Sequence, residues 1–141
     1  MIRQMCNYDM ERVLDIWLRA SIQAHAFISE QFWRAQLGNM RTLYLPAATS
    51  YVFERDGGVA GFYSLYGDAL AALFVDPDRQ GAGIGSLLLA DAKNHRSGLE
   101  LAVYSANHAA RRFYERHGFI AVDERPDEHT GHPETLLRWQ A

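Results

Sequence analysis

The chain has 141 residues, 48% hydrophobic and 22% charged, with a formal net charge of −3. That length supports one domain with its own core, while a single cysteine, Cys6, read as structural, excludes an intramolecular disulfide and a cysteine-based metal cluster. No apolar run nears the ~20 residues of a membrane span, no basic-then-apolar leader opens the chain, and the mixed, mildly acidic charge argues against nucleic acid, so a cytoplasmic globular domain is expected.

In chain order, residues 1–5 predict an edge strand. Residues 9–24 predict a helix, with Val13, Ile16, Trp17 and Ala20 at helical spacing. Ser29 is suited to cap a second helix carrying Phe32, Trp33, Leu37 and Met40 to near Leu45, with Pro46 expected to stop it. Residues 51–54 and 59–66, joined by Arg55-Asp56-Gly57-Gly58, carry a hairpin signal. After a turn at Gly67-Asp68, the stretch Ala69 to Val75 is apolar without alternation, the pattern of a strand buried on both faces. A helix over 83–95, a strand over 98–104, a helix from Asn107 and strands around 119–122 and 136–138 complete the order.

Between the strand ending at Val75 and the following helix lies Asp76-Pro77-Asp78-Arg79-Gln80-Gly81-Ala82-Gly83-Ile84-Gly85-Ser86. Alternate glycines let successive N–H groups converge, and a helix start adds its positive dipole end, which together suit an anion. No lysine follows Gly85, as a nucleoside-triphosphate loop requires, and Ser86 stands where a dinucleotide fingerprint needs its third glycine. The remaining pattern, Gln80-x-x-Gly83-x-Gly85, is similar to the coenzyme A pyrophosphate loop of the GNAT superfamily of N-acetyltransferases. A second block, Asn107-His108-Ala109-Ala110-Arg111-Arg112-Phe113-Tyr114-Glu115-Arg116-His117-Gly118-Phe119, resembles that family's Asn-x-x-Ala-x-x-Phe-Tyr-x-x-x-Gly-Phe helix.

The resemblance implies an α/β (α+β) GNAT fold: one mixed, mostly antiparallel sheet of about seven strands, flanked by about four helices, with acetyl-coenzyme A (acetyl-CoA) bound where two strands splay. It implies cofactor contacts from Leu73, Phe74, Val75, Arg79, Gln80, Gly81, Ala82, Gly83, Ile84, Gly85 and Ser86, and from Asn107, Ala110, Phe113 and Tyr114. Leu73, Phe74 and Val75 would offer backbone N–H groups to the pantetheine arm.

Acetyl transfer needs a neutral amine and a proton for the departing thiolate. Tyr114 is assigned as that proton donor, since a phenol near ~10 stays protonated beside a thiol near ~8.5. Many family members use a central glutamate as base, and this chain has none between Glu54 and Glu100. His25 and Asp68 are the candidates instead, with His25, Phe27 and Tyr66 on the acceptor side beside Trp17, Phe32 and Trp33. His129 and His132 lie in a turn-rich loop without a regular ligand scaffold, so no metal site is expected. The first two helices look like those of small bacterial protein-lysine acetyltransferases. They point to a protein lysine as acceptor, with a free small amine, or a silent acyl-coenzyme A sensor, as alternatives, and to a monomer or homodimer.

Overall fold

The computed structural model describes residues 1–141, and the apolar pattern resolves into seven strands: β1 (Ile2–Gln4), β2 (Thr49–Arg55), β3 (Gly58–Tyr66), β4 (Ala69–Val75), β5 (Gly98–Tyr104), β6 (Ile120–Pro126) and β7 (Pro133–Gln140). They form one sheet in the order β1-β2-β3-β4-β5-β7-β6. All pairs are antiparallel except β4 with β5. This is the mixed, mostly antiparallel sheet expected.

Helices cover both faces. On one, α1 (Met10–Ala24) buries Val13, Ile16 and Trp17 against Val52 and Phe62 of the sheet. On the other, α5 (Ile84–His95) and α6 (His108–Arg116) pack Leu88, Leu89 and Tyr114 against Tyr63, Leu101 and Leu137. Leu88 and Leu89 are fully buried, each contributing about 1.5–3 kcal/mol by removal from water. The approach of α5 to the sheet depends on Gly61. A Cβ there would lie 3.0 Å from the Phe74 carbonyl and 3.1 Å from Leu88 Cδ1.

The second expected helix begins as foreseen, with Ser29 accepting from Phe32 N–H, but it is not one continuous helix. It comprises α2 (Glu30–Ala35), α3 (Leu37–Asn39), a π-helical turn over Met40–Tyr44 and α4 (Leu45–Ala47). Pro46 does not end it but sits inside α4. A proline lacks an N–H and its ring crowds the carbonyl four residues back. The preceding turn widens instead, with Leu45 N–H donating to the Met40 carbonyl, and an Arg41–Glu11 ion pair ties the widened turn to α1.

Two further expectations are corrected. β4 is not buried on both faces: only Leu70 is buried, because β5 diverges from it. The closing strands are longer than expected, and every residue of β6 is exposed, since it is the sheet edge. Cys6, read as structural, is exposed, and its N–H donates to Asp9. Asp9 also receives both Nη atoms of Arg3, at 2.8 and 2.9 Å, which joins β1 to α1.

Candidate active site

β4 and β5 share one ladder position, Ala69↔Glu100, and then splay. Into the gap opens a groove of about 1000 Å³, lined by Ala71 to Val75 from β4 and by Leu101 to Tyr104 from β5. Asp76 N–H bonds the Ala60 carbonyl of β3 at 2.8 Å. Antiparallel ladders alternate, so Phe74 N–H also faces β3, while Leu73 and Val75 turn theirs to the gap. Of the three backbone donors expected, Leu73 and Val75 are therefore free. Phe74 lines the groove with its ring, which packs beside Phe62.

At one end of the gap the glycine loop runs into α5. Gly81 and Gly83 have φ of +86° and +80°, which side chains with a Cβ rarely adopt, and Gly83 is the N-cap. The first intrahelical bond there is Leu87 N–H to the Gly83 carbonyl, so the N–H groups of Ile84, Gly85 and Ser86 have no intrahelical partner. Arg79, Gln80, Gly81, Gly83, Ile84, Gly85 and Ser86 all line the groove, and Arg116 adds a second cation. Ala82 is exposed and not on its wall. Free N–H groups, a helix dipole and arginine are the donor set a pyrophosphate requires, so these residues fit coenzyme A.

The loop is held from behind by Asp76, which sequence reasoning overlooked. Its buried carboxylate accepts from Arg12, from Arg19 at 3.2 Å and from Asp78 N–H at 2.9 Å. Burial alone would raise this carboxyl, but the Asp78 N–H and the two guanidiniums outweigh it and hold it below the usual range. The available signal was an Asp immediately before a Pro that opens a turn.

α6 lies along the groove, contributing Asn107, Ala110, Phe113 and Tyr114. Tyr114 is buried, with its ring set edge-on to Phe113 and Phe119 at 5.1 and 5.5 Å. Burial pushes the phenol above its ordinary value, and no hydrogen bond within the protein opposes that shift. Asn107 caps α6, its Oδ1 accepting from Ala110 N–H at 3.2 Å, and its Nδ2 lies 3.2 Å from His25 Nε2. His25 Nδ1 is 3.0 Å from the Ser21 carbonyl, so that nitrogen carries the proton and Nε2 accepts from Asn107. Burial lowers the His25 pKa, partly offset by the Ser21 carbonyl, and the ring is neutral at physiological pH.

His25 also stacks on Trp33 at 5.1 Å and meets Tyr104 edge-on at 5.2 Å. Phe27 packs on Tyr104 at 5.7 Å and on His132 at 5.1 Å, just behind this wall. Tyr104 donates to Asp127 at 2.9 Å, and burial, with that carboxylate, pushes its phenol up to about 12. Ser21 Oγ and Trp33 Nε1, on groove-lining residues, are buried without a partner. Phe27, expected on the acceptor side, is itself not on the groove wall, and two further expected residues are elsewhere. Tyr66 is exposed, and Asp68 lies in the exposed β3–β4 turn, 3.6 Å from Arg96, and neither lines the groove. The turn begins β4 while the glycine loop follows its end, roughly 20 Å away at strand rise. Another residue was missed: Glu134 of β7 faces the groove opposite Tyr104.

Comparison with known proteins agrees with this architecture. A sequence model described as an acetyltransferase (GNAT) domain matches residues 46–121. The peptidyl-lysine N-acetyltransferase YiaC of Escherichia coli K12 is 34% identical over 140 residues, spanning 99% of this chain and 96% of that one. The solution structure of apo YjaB from Escherichia coli superposes with a TM-score of 0.87 at 28% identity, covering 99% of this chain and 96% of YjaB. PaiA N-acetyltransferase of Thermoplasma acidophilum, solved with coenzyme A, shares the fold, with a TM-score of 0.84 at 18% identity over 100% of this chain and 98% of its own. With the splayed strands, the glycine loop and the Asn107 helix, these likenesses establish that the chain belongs to the GNAT family of acetyltransferases.

Proposed function

We propose that this chain acetylates the ε-amino group of protein lysines, drawing the acetyl group from acetyl-CoA, in the cytoplasm and as a monomer or homodimer. One observation carries the reading: backbone donors, a neutral phenol and an aromatic wall converge on one groove. The name peptidyl-lysine N-acetyltransferase, borne by a relative 34% identical over nearly the whole chain, supports lysine as the acceptor.

Acetyl-CoA supplies an activated acyl group. The N–H groups of Ile84, Gly85 and Ser86 receive the pyrophosphate, helped by Arg79 and Arg116. Leu73 and Val75 donate to the pantetheine arm as an added strand would. The lysine amine reacts in its neutral form after losing its ammonium proton to water; Tyr114 gives its proton to the sulfur as the C–S bond breaks and recovers one from the nitrogen as the amide forms. His25 positions Asn107 instead of accepting a proton, because its one free lone pair is already engaged by the Asn107 amide. Asp68, outside the groove, has no part in the reaction.

Incubation with acetyl-CoA and a lysine-containing peptide tests this. Free thiol and acetyl-lysine are expected in equal amounts, and thiol release with no modified lysine would refute it.

A further inference from the structure

We propose that Glu134 is the residue that receives the acceptor's ammonium group as it enters the groove, selecting cationic alkylamines, which then lose a proton to water so that the neutral amine meets the acyl group. This deepens the acetyl-transfer reading above and rests on it.

Glu134 and Tyr104 are directly opposed in the β5–β7 ladder, so their side chains share one sheet face. That face also carries the His25–Trp33 stack. Glu134 is the only carboxylate on the groove wall, and the cations Arg79 and Arg116 belong to the pyrophosphate side. Its side chain is only 16% exposed, and one oxygen, Oε1, accepts from Arg125 Nε at 3.1 Å. No protein donor is bound to Oε2. One oxygen is thus anchored while the other is available, on a side chain held against solvent.

The surroundings suit an ammonium on an aliphatic stem. Tyr104 and Trp33 are 6.4 Å apart, each packed on His25, and this aromatic wall covers methylenes while the half-buried Tyr104 ring attracts a cation. His25 is neutral and does not repel it. The nearby carboxylates Asp127 and Glu128 border a recess shared with Glu134 and add to the negative potential, offset in part by Arg125. On β5 the residue two positions before Tyr104 and on the same side is Ala102, which leaves the middle of that strand without a carboxylate to compete for the ammonium.

The test uses the full chain and Glu134→Gln. Calorimetry with acetyl-CoA is expected to give equal affinity for both. With Nα-acetyl-lysinamide as acceptor, KM is expected to rise about ten- to hundredfold, with kcat changed by no more than about threefold, the loss expected for one charge-assisted hydrogen bond. With methoxyamine, uncharged at neutral pH, KM is expected to stay within about twofold. An unchanged KM for the lysine compound, an equal rise for both acceptors, or a fall in acetyl-CoA affinity would each overturn the assignment. If the parent binds acetyl-CoA yet acetylates no amine, the acetyl-transfer reading fails by itself. Titration of Nα-acetyl-lysinamide onto the coenzyme A-bound protein then decides Glu134: at least tenfold weaker binding by the variant supports it, and equal binding overturns it.

Discussion

Replacing Tyr114 by phenylalanine removes one oxygen from the centre of the groove. The ring is 8% exposed and keeps its edge-on contacts with Phe113 and Phe119, so packing is conserved. The hydroxyl has no hydrogen bond within the protein, and its loss leaves no buried partner unsatisfied. Stability is therefore expected within about 0.5 kcal/mol of the parent, and acetyl-CoA affinity within about threefold. Turnover is different. A positioned general acid is worth about 10²–10⁴ in rate, or about 2.7–5.4 kcal/mol of barrier, and Phe has no proton to give. Because burial raises the phenol above its ordinary value, the parent's rate is expected to show no decline from Tyr114 ionisation below about pH 10. Steady-state thiol release at saturating acetyl-CoA, beside a melting curve and a calorimetric titration, reads all three quantities. A variant within threefold of parental kcat would return Tyr114 to a purely structural role.

Gly83→Val forces a branched residue into φ of +80° with no steric neighbour to blame, so strain of about 1–2 kcal/mol or more acts on the loop. Acetyl-CoA affinity measured by calorimetry is expected to fall at least tenfold while the fold persists. His25→Ala is expected to lower the melting temperature and weaken cofactor binding through a loosened Asn107, while leaving the shape of the pH–rate curve intact; disappearance of an acidic limb in that variant would restore His25 as a base. The folded His25 pKa is depressed, so the unfolded chain binds its proton first, and stability is expected to fall as pH drops below the ordinary value near ~6.5. Asp9 is held at about 2, chiefly by hydrogen bonds from Arg3, against the unfolded ~3.9. Its contribution of about 2 kcal/mol is present above the unfolded value and is lost as pH falls from ~4 to ~2, so Asp9→Asn is expected to flatten acid unfolding curves in that window.

The features legible in the sequence are those whose physics is local. The glycine loop needs positive φ at Gly81 and Gly83 whatever surrounds it, and the N-cap of α6 is encoded within Asn107 to Ala110. Features set by distant partners were not legible. β4 reads as a buried strand because nothing in Ala69 to Val75 announces that β5 leaves it after one residue pair. The π-helical turn before Pro46 depends on how a widened helix still reaches Glu11 of α1. Glu134 lies 30 residues from its ladder partner Tyr104, and only the β5–β7 pairing brings it to the groove. Asp68 seemed available because a hairpin tip next to a central strand is close in sequence, yet that tip is at the wrong end of β4.

The central claim is that this groove moves an acetyl group onto a lysine nitrogen. Mass spectrometry of a lysine-containing protein substrate incubated with the chain and acetyl-CoA tests it most directly. The account predicts acetyl-CoA-dependent gain of one acetyl group on lysine Nζ, matched by thiol release and at least a hundredfold slower with Tyr114→Phe. Substrate lysines left unmodified while the chain binds acetyl-CoA with full affinity would contradict it.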